Sequence, residues 1–484
     1  MRSTRCVVLS VSVIALASCA AVPVTDNILP ASDISANWAA VESKLNHTKE
    51  DVRNGWLDDL KMPTLSHFVD EVLQNNPDFR ATAHRMEAAG YRAKTSQADL
   101  YPTLNANFGA GRRHSSNPSM TGNSLSLGLD ARWEADVWGR LSAQTGAAEA
   151  NYSAARYDVE GARLSLAAHV TQAWFDTMEA QAQWELADET VTSYERAVDI
   201  VTKRFARGLS TGLDLRLIMS SLEAARASLN RRQDELSQQK RRLEILAGRY
   251  PAAQIMASGQ LPDLISDVPV GLPVNLLERR PDLQAAKARL LAAGYISQAS
   301  DKALLPKFSI TASGNNSSSG FSDLLKFDNI FWNLLGNITQ PIFEGGKLRY
   351  NAKASRALFE AEKQVYARIL LASFKEVEDA LSSEKALKSE VNHTQKAAEN
   401  AISAAKVALD QYSRGLIKIS VLLESQRQSL VQQSRLLAVK KQRINNRIAL
   451  HLALGGDFTS KEDIQKMTTK NNAPKGEADK GNIL

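Results

Sequence analysis

The sequence predicts a mainly α-helical protein with a small β part, written twice along one chain. Three observations predict it. First, a proline-led helix start recurs: Asn76-Pro77-Asp78-Phe79, running on to Ala88-Ala89-Gly90-Tyr91, returns as Arg280-Pro281-Asp282-Leu283 with Ala292-Ala293-Gly294-Tyr295. Second, the apolar period changes from helical to strict alternation at the same point of each copy, after Tyr101-Pro102 and after Leu305-Pro306. Third, later landmarks keep step, with Gly139-Arg140-Leu141 matching Gly346-Lys347-Leu348, Arg207-Gly208-Leu209 matching Arg414-Gly415-Leu416, and Ala247-Gly248 matching Leu454-Gly455. Copies this long indicate a duplicated domain plan, since a solenoid repeats at about 20–50 residues and more often.

Taken in order, the chain opens with Arg2 and Arg5 and then an apolar run, Val7 to Ala17, too short for a permanent membrane helix. Residues 1–18 therefore read as a signal peptide. Leu16-Ala17-Ser18-Cys19 resembles a bacterial lipoprotein signal, which implies a covalent lipid on Cys19; the other reading is an ordinary signal with a stray cysteine. Ala20 stands where that resemblance would put an inner-membrane retention aspartate, which points to the outer membrane. Cys6 and Cys19 are the only cysteines, so no disulfide framework holds the body together. Nothing downstream offers eighteen consecutive apolar residues. The composition, 44% hydrophobic and 23% charged, is that of a folded chain, and a net charge of +6 over 484 residues is too small to argue nucleic acid.

Within each copy, Pro77 or Pro281 opens a helix of about two dozen residues, because a missing amide hydrogen does no harm in a first turn. Next, Leu104, Ala106 and Phe108, and after a polar loop Leu125, Leu127, Leu129, Ala131 and Trp133, alternate with polar residues or glycine, predicting a hairpin with one apolar face. The second copy repeats it with Phe308, Ile310 and Ala312, a loop at Asn316-Ser317-Ser318-Ser319-Gly320, and a return strand around 330–342 carrying Trp332. A proline-free stretch of some 65 residues comes next, roughly 142–206 and 350–413, or ~100 Å of helix. A glycine turn at Gly208 or Gly415 reverses the chain into a helix of about 35 residues. The first and third helices, stacked end to end, match the long one. Leu215, Leu222, Leu229, Leu236 and Leu243, and then Leu423, Leu430, Leu437 and Ile444, recur every seventh residue, the mark of a supercoiled seam. Ala-rich inward positions such as Ala147-Ala148, Ala167-Ala168 and Ala404-Ala405, among many polar residues, fit a water-filled cylinder of helices better than a solid bundle.

Four short strands cannot close a barrel, for the smallest membrane barrels need about eight, and an open edge in lipid leaves backbone groups unpaired. Closure must come from other copies in cyclic symmetry, whose number physics leaves open. The lipoprotein-like start, the Trp56-Leu57 and Leu65 to Leu73 lead-in, the two Pro-Asp helix starts, two hairpins and two Arg-Gly-Leu turns together resemble the TolC-like outer membrane factors, most closely their lipidated OprM-like branch. The resemblance spans nearly all of 56–456. It implies a homotrimer with a shared transmembrane β-barrel of twelve strands, a twelve-helix α-barrel in the periplasm and an equatorial belt. It implies as partners a periplasmic membrane-fusion adaptor, an inner-membrane RND-type pump and outer-membrane lipid, with no cofactor beyond the lipid on Cys19. The expected division is 1–18 signal peptide, 19–75 arm and lead-in helix, 76–248 first repeat, 249–279 equatorial connector, 280–456 second repeat and 457–484 polar tail.

By the same resemblance the glycine turns form the closed periplasmic tip and the adaptor-docking surface, with Gly208, Leu209, Gly415 and Leu416 at their apices. Asp214 matches the first-turn aspartate of that family, and Glu424 stands where the second turn usually has aspartate, one methylene longer, while Val421 replaces a second acid. Rings of carboxylates repeated by symmetry attract cations and can constrict a pore through Arg207, Arg414 or Lys418. The plainer readings are helix-start charges for the two acids and helix-end charges for the arginines. Gly208-Leu209-Ser210-Thr211-Gly212 satisfies the hydrolase Gly-x-Ser-x-Gly pattern but comes after a long helix where that elbow needs a strand, so no enzyme is expected. Glu344-Gly345-Gly346-Lys347-Leu348 lacks the first glycine and the hydroxyl of a phosphate loop, and the seven histidines show no paired metal spacing. Trp133, Trp138 and Trp332 suit an interfacial belt or a packed strand-helix junction equally. The expected function is a passive duct for small-molecule export. The rivals are a duct for secreted proteins and a tethered coiled-coil scaffold, the last requiring an apolar layer over the strands.

Overall fold

The duplication holds residue for residue in the helices of the computed structural model, which describes residues 38–39, 55–60, 62–114, 122–257, 259–264, 276–324, 326 and 330–458. Two short helices lead in, α1 (Trp56–Asp59) and α2 (Pro63–Asn75). The first copy runs α3 (Pro77–Ala98), β1 (Thr103–Arg113), β2 (Gly122–Ala135), α4 (Arg140–Ala206) and α5 (Gly212–Leu246). After α6 (Leu276–Arg279), the second runs α7 (Pro281–Lys302), β3 (Lys307–Ser318), α8 (Phe321–Leu324), β4 (Phe331–Thr339), α9 (Lys347–Ser413) and α10 (Ile419–Ala453). Pro77 to Pro281 is a shift of 204 positions, and Arg140 to Lys347 and Gly212 to Ile419 are shifts of 207. Under those shifts each of the three main helices begins and ends where its counterpart does. The predicted signal peptide, Cys19, residues 265–275 of the connector and 459–484 of the tail lie outside the described residues.

The long helices α4 and α9 have 67 residues each and span ~100 Å. Their neighbours are made of two pieces, of 22 and 35 residues, ~33 and ~52 Å long. A hydrogen-bonded joint links the pieces. In the first copy the Asn76 side-chain amide donates to the carbonyl of Leu246, the last residue of α5, at 2.9 Å, and its oxygen caps α3 by accepting from Phe79 N at 2.9 Å. In the second, Arg280 Nη1 donates to the carbonyl of Ala453, the last residue of α10, at 3.2 Å. Gly248 and Gly455 close α5 and α10 at φ 69° and 68°. A Cβ on Gly248 would stand 2.8 Å from Asn75 O and one on Gly455 3.1 Å from Arg279 O, so both space and backbone angle select glycine.

A core surrounds the first joint, built from Trp56, Leu65, Val69 and Val72 of the lead-in with Ala167, Val170, Phe175 and Met178 of α4, Leu243 and Ile448. A second surrounds the other joint, where Trp38, Leu276 and Leu283 meet Leu370, Val377 and Leu450. A third ties the far ends of α4, α5, α9 and α10 through Val201, Ile218, Leu222, Tyr412, Ile419 and Leu422.

The heptad seam is found in α5, where Leu222, Leu236 and Leu243 are buried. In the first half of α10 it runs one residue earlier than the leucines predict. Leu422 and Ser429 are buried where Leu423 and Leu430 are only half-buried; Leu436 and Leu437 are alike half-buried, and Arg443 and the predicted Ile444 are both buried. Raised by 207, the α5 series lands on this buried line, so the fold keeps the phase of the duplication even where it puts Ser429 and Arg443 in the seam. Arg443 is accommodated by Glu384, which also holds Arg447 at 2.8 Å.

The strands form one antiparallel sheet in the order β1-β2-β3-β4. Thr103 faces Arg132 in the first hairpin and Lys307 faces Thr339 in the second, the same pairing under shifts of 204 and 207. The second hairpin departs from expectation in its loop: Asn316, Ser317 and Ser318 belong to β3. Asn316 is buried there because its amide donates to the carbonyls of Leu324 and Lys326 at 2.7 and 3.1 Å, tying down α8 and its exit. No described helix longer than α8 packs on the sheet, and Leu104, Phe108, Leu129, Trp332, Leu334 and Ile338 are exposed. The apolar layer that a soluble scaffold requires is missing among the described residues.

Candidate functional site

The chain reverses at the end opposite the sheet, and both reversals use the same backbone device. Gly208 N donates to Phe205 O at 2.9 Å and Leu209 N to Arg204 O at 2.8 Å; in the second turn Gly415 N donates to Tyr412 O and Leu416 N to Gln411 O, each at 2.9 Å. These paired bonds are the Schellman closure, which needs a left-handed residue, and Gly208 and Gly415 supply it at φ 72° and 80°. Leu209, Leu213, Leu416 and Val421 stand exposed at the apices, an apolar cap on a polar shaft.

The two turns differ in how they start the next helix. Thr211 Oγ1 accepts from Asp214 N at 3.2 Å, while the Asp214 carboxylate accepts from Thr211 N at 2.9 Å, a complete capping box at the start of α5. Lys418 occupies the matching position before α10, exposed and unable to cap. Glu424 lies in the second turn of α10, beyond the reach of a helix-start charge. It pairs with Arg427 at 2.6 Å, and that hydrogen bond and charge hold its carboxyl below the ordinary glutamate range. Arg414 pairs with Asp410 at 3.0 Å on its own helix. Arg207 is exposed and makes no ion pair among the described residues. Within one chain, none of Arg207, Arg414 and Lys418 is bonded to Asp214 or Glu424.

Sequence reasoning missed Arg204. Its guanidinium donates to Leu209 O in its own turn at 3.1 Å and to Ser413 O at the end of α9 at 3.2 Å, and it lies over the Tyr412 ring at 5.2 Å. Tyr412 is buried beneath it; burial first, and then the nearby Asp214 charge, push its phenol above the ordinary value. Arg204 therefore fastens the two turns of one chain together. No signal in the sequence sets it apart from Lys203 or Arg207, since its partners are carbonyls 209 residues away and in its own turn. Ser210, the would-be nucleophile, comes after a helix and donates to Val201 O at 3.4 Å.

At the sheet end the tryptophans divide. Trp133 Nε1 donates to Leu100 O at 2.9 Å and Trp138 Nε1 to Pro306 O at 2.8 Å, so both pin strand-helix junctions, whereas Trp332 is 73% exposed on β4. Asp136 is a second residue that the sequence does not single out. Its carboxylate accepts from Leu141 N and Ser142 N at 2.9 and 2.7 Å, starting α4 directly after β2; burial would raise its pKa, but these bonds prevail and lower it. No described helix is long and apolar enough to cross a membrane, which says nothing of a barrel.

The family profile described as "Outer membrane efflux protein" matches residues 68–249 and 272–456 of the chain. The outer membrane protein OprJ of Pseudomonas aeruginosa is 30% identical over 452 residues, covering 92% of this chain and 94% of that protein. The cation efflux system protein CusC of Escherichia coli is 28% identical over 450 residues, covering 92% and 97%. The toluene efflux pump outer membrane protein TtgF of Pseudomonas putida is 28% identical, covering 95% and 98%. A crystal structure of CusC superposes with a TM-score of 0.77 at 26% identity, over 89% of this chain and 99% of that one.

Proposed function

The chain belongs to the outer membrane efflux protein family, and from that premise we propose that three copies close into a passive duct that carries small molecules out through the outer membrane. The duct receives them from a periplasmic membrane-fusion adaptor and an inner-membrane RND-type pump. One observation carries the reading: a sheet with two unpaired edges and no covering layer crowns helical columns ~100 Å long. Such a sheet is stable in lipid only when closed by copies of itself. Relatives named for cations and for toluene match 92% and 95% of this chain, which supports a duct indifferent to cargo, with selection made upstream.

Cys19 carries the lipid that holds the arm to the outer membrane. The exposed apices Gly208, Leu209, Gly415 and Leu416 form the surface that meets the adaptor, and Asp214 and Glu424 ring the closed tip. Since neither acid is bonded in its own chain to Arg207, Arg414 or Lys418, any constricting bridge forms between copies. Light scattering of the detergent-purified protein should give three chains, and planar bilayers should show channel conductance; a monomer without conductance would sink the reading. Asp214→Ala together with Glu424→Ala should raise resting conductance, and an unchanged value would return both acids to local helix roles. Cys19→Ala should abolish lipid labelling.

A further inference from the structure

Beside the second joint the chain opens into a cavity of about 380 Å³, within the size range of small-molecule sites. The middle of α4 supplies Glu160 and Arg163, the entry to α7 supplies Arg279 and Pro281, and the exit of α10 supplies Gly455 and Asp457. Two guanidinium groups and two carboxylates thus share one small space. Arg163 Nη2 meets Asp457 at 2.5 Å, and its guanidinium lies over the Phe458 ring at 4.7 Å, so this pair is held from two sides. Glu160 is exposed, and its carboxylate makes no ion pair among the described residues.

The joint itself does not need these charges. Its counterpart keeps the glycine contact, with Gly248 against Asn75 O where Gly455 meets Arg279 O. Under the shifts of 207 and 204, Glu160, Arg163, Asp457 and Arg279 correspond to Ala367, Leu370, Tyr250 and Asn75, none of them charged. The architecture is shared, and the charged lining belongs to one copy.

We infer that this cavity binds an α-amino-acid zwitterion, free or as the two ends of a short peptide, with its ammonium on Glu160 and its carboxylate on Arg163 and Arg279. Balance of charge selects it. A lone anion or cation meets repulsion as well as attraction from two charges of each sign, whereas a zwitterion sets each pole against the opposite one. A guanidinium has five donors in a fork, so Arg163 can take a ligand carboxylate while keeping Asp457. The site lies one length of α7, ~33 Å, from the sheet. On the reading proposed above that position is periplasmic, where the peptide stems of the cell wall and dissolved amino acids or dipeptides present the same chemistry.

The source of the zwitterion rests on that reading, but the site does not, since all its residues come from one chain. Calorimetry of the detergent-purified full chain with alanyl-alanine should show one site per chain. Acetylating the dipeptide's amine and Glu160→Gln should each weaken binding about tenfold, and the two together no more than either alone. A dipeptide amidated at its carboxylate should bind as weakly. Glu160→Gln should unfold at the wild-type temperature, which keeps a lost site distinct from a lost fold. No binding of alanyl-alanine, an acetylated dipeptide that binds as well as the free one, or wild-type affinity in Glu160→Gln overturns the site. Purified cell-wall sacculi separate the sources: co-sedimentation that free alanyl-alanine competes away assigns the wall, and dipeptide binding without co-sedimentation assigns the dissolved zwitterion. A monomer in detergent that still binds the dipeptide overturns the ring and leaves the site standing.

Discussion

The two joints that stack α5 on α3 and α10 on α7 occupy equivalent places in the repeat and are built from opposite chemistry. At the thirty-third position of α5 stands Glu244, and at the same position of α10 stands His451, both buried. Glu244 accepts from Ala253 N at 2.7 Å, Gln254 N at 2.6 Å and Ile255 N at 3.3 Å, folding the start of the connector around its carboxylate. Burial alone would raise its pKa, but these amides outweigh burial and lower it. His451 meets no such amides; it stacks on Trp56 of the lead-in, ring centroids 5.4 Å apart and 10° from parallel. Burial, and then the Arg447 charge, lower its pKa to about 4. A duplicated joint thus keeps its geometry and changes its chemistry to suit what packs on it, a connector with free amides in one copy and an aromatic ring in the other.

The largest expected effect separates the joints by pH. His451 is a base whose folded pKa, about 4, lies below its unfolded value of 6.5, so on acidification the unfolded chain takes the proton first. Its contribution is complete above the unfolded value and drains between the two, about 1.4 kcal/mol per unit and about 3 kcal/mol in all. Thermal unfolding of the detergent-purified protein should lose stability through that window, and His451→Phe, which keeps the stack on Trp56, should flatten the loss. A variant with the wild-type slope would show that the buried histidine is not responsible. Glu244 runs the same way in a lower window: its depressed pKa gives stability that is complete above the ordinary carboxylate value and drains as pH falls from there towards the lower folded one.

Next in size is the contrast between the two joint side chains. Arg280 is buried and binds Asp282 at 2.8 Å, Glu376 at 2.7 Å and Ala453 O, so Arg280→Ala should cost about 2–3 kcal/mol by chemical denaturation. Asn76→Ala removes a cap and one bond between neutral groups and should cost about 1 kcal/mol. Equal losses would erase the distinction. Smallest are the tips. Thr211→Ala breaks the capping box and should cost about 1 kcal/mol, whereas Lys418→Ser at the uncapped equivalent should gain roughly 0.5 kcal/mol. A loss at Lys418→Ser would mean that the lysine serves α10 in a way its uncapped geometry does not reveal.

Much of the fold was legible because its signals are local. Pro77 and Pro281 set helix starts, Gly208 and Gly415 set reversals, and strict alternation marked the strands, so the duplicated plan came from the chain alone. At the tip only the two glycine reversals were legible. Arg204, Glu244 and Asp136 act on backbone groups, which every sequence possesses and none advertises. The tertiary structure also decided the seam of α10. Adjacent leucines at Leu422-Leu423 and Leu436-Leu437 satisfy a seven-residue period in either of two phases, and at the first pair the helix packed alongside chooses, burying Leu422 and leaving Leu423 half-buried. Period is a property of the chain; phase belongs to the neighbour, which is why the sequence determined how many columns this protein builds and the packing decided which face each turns inward.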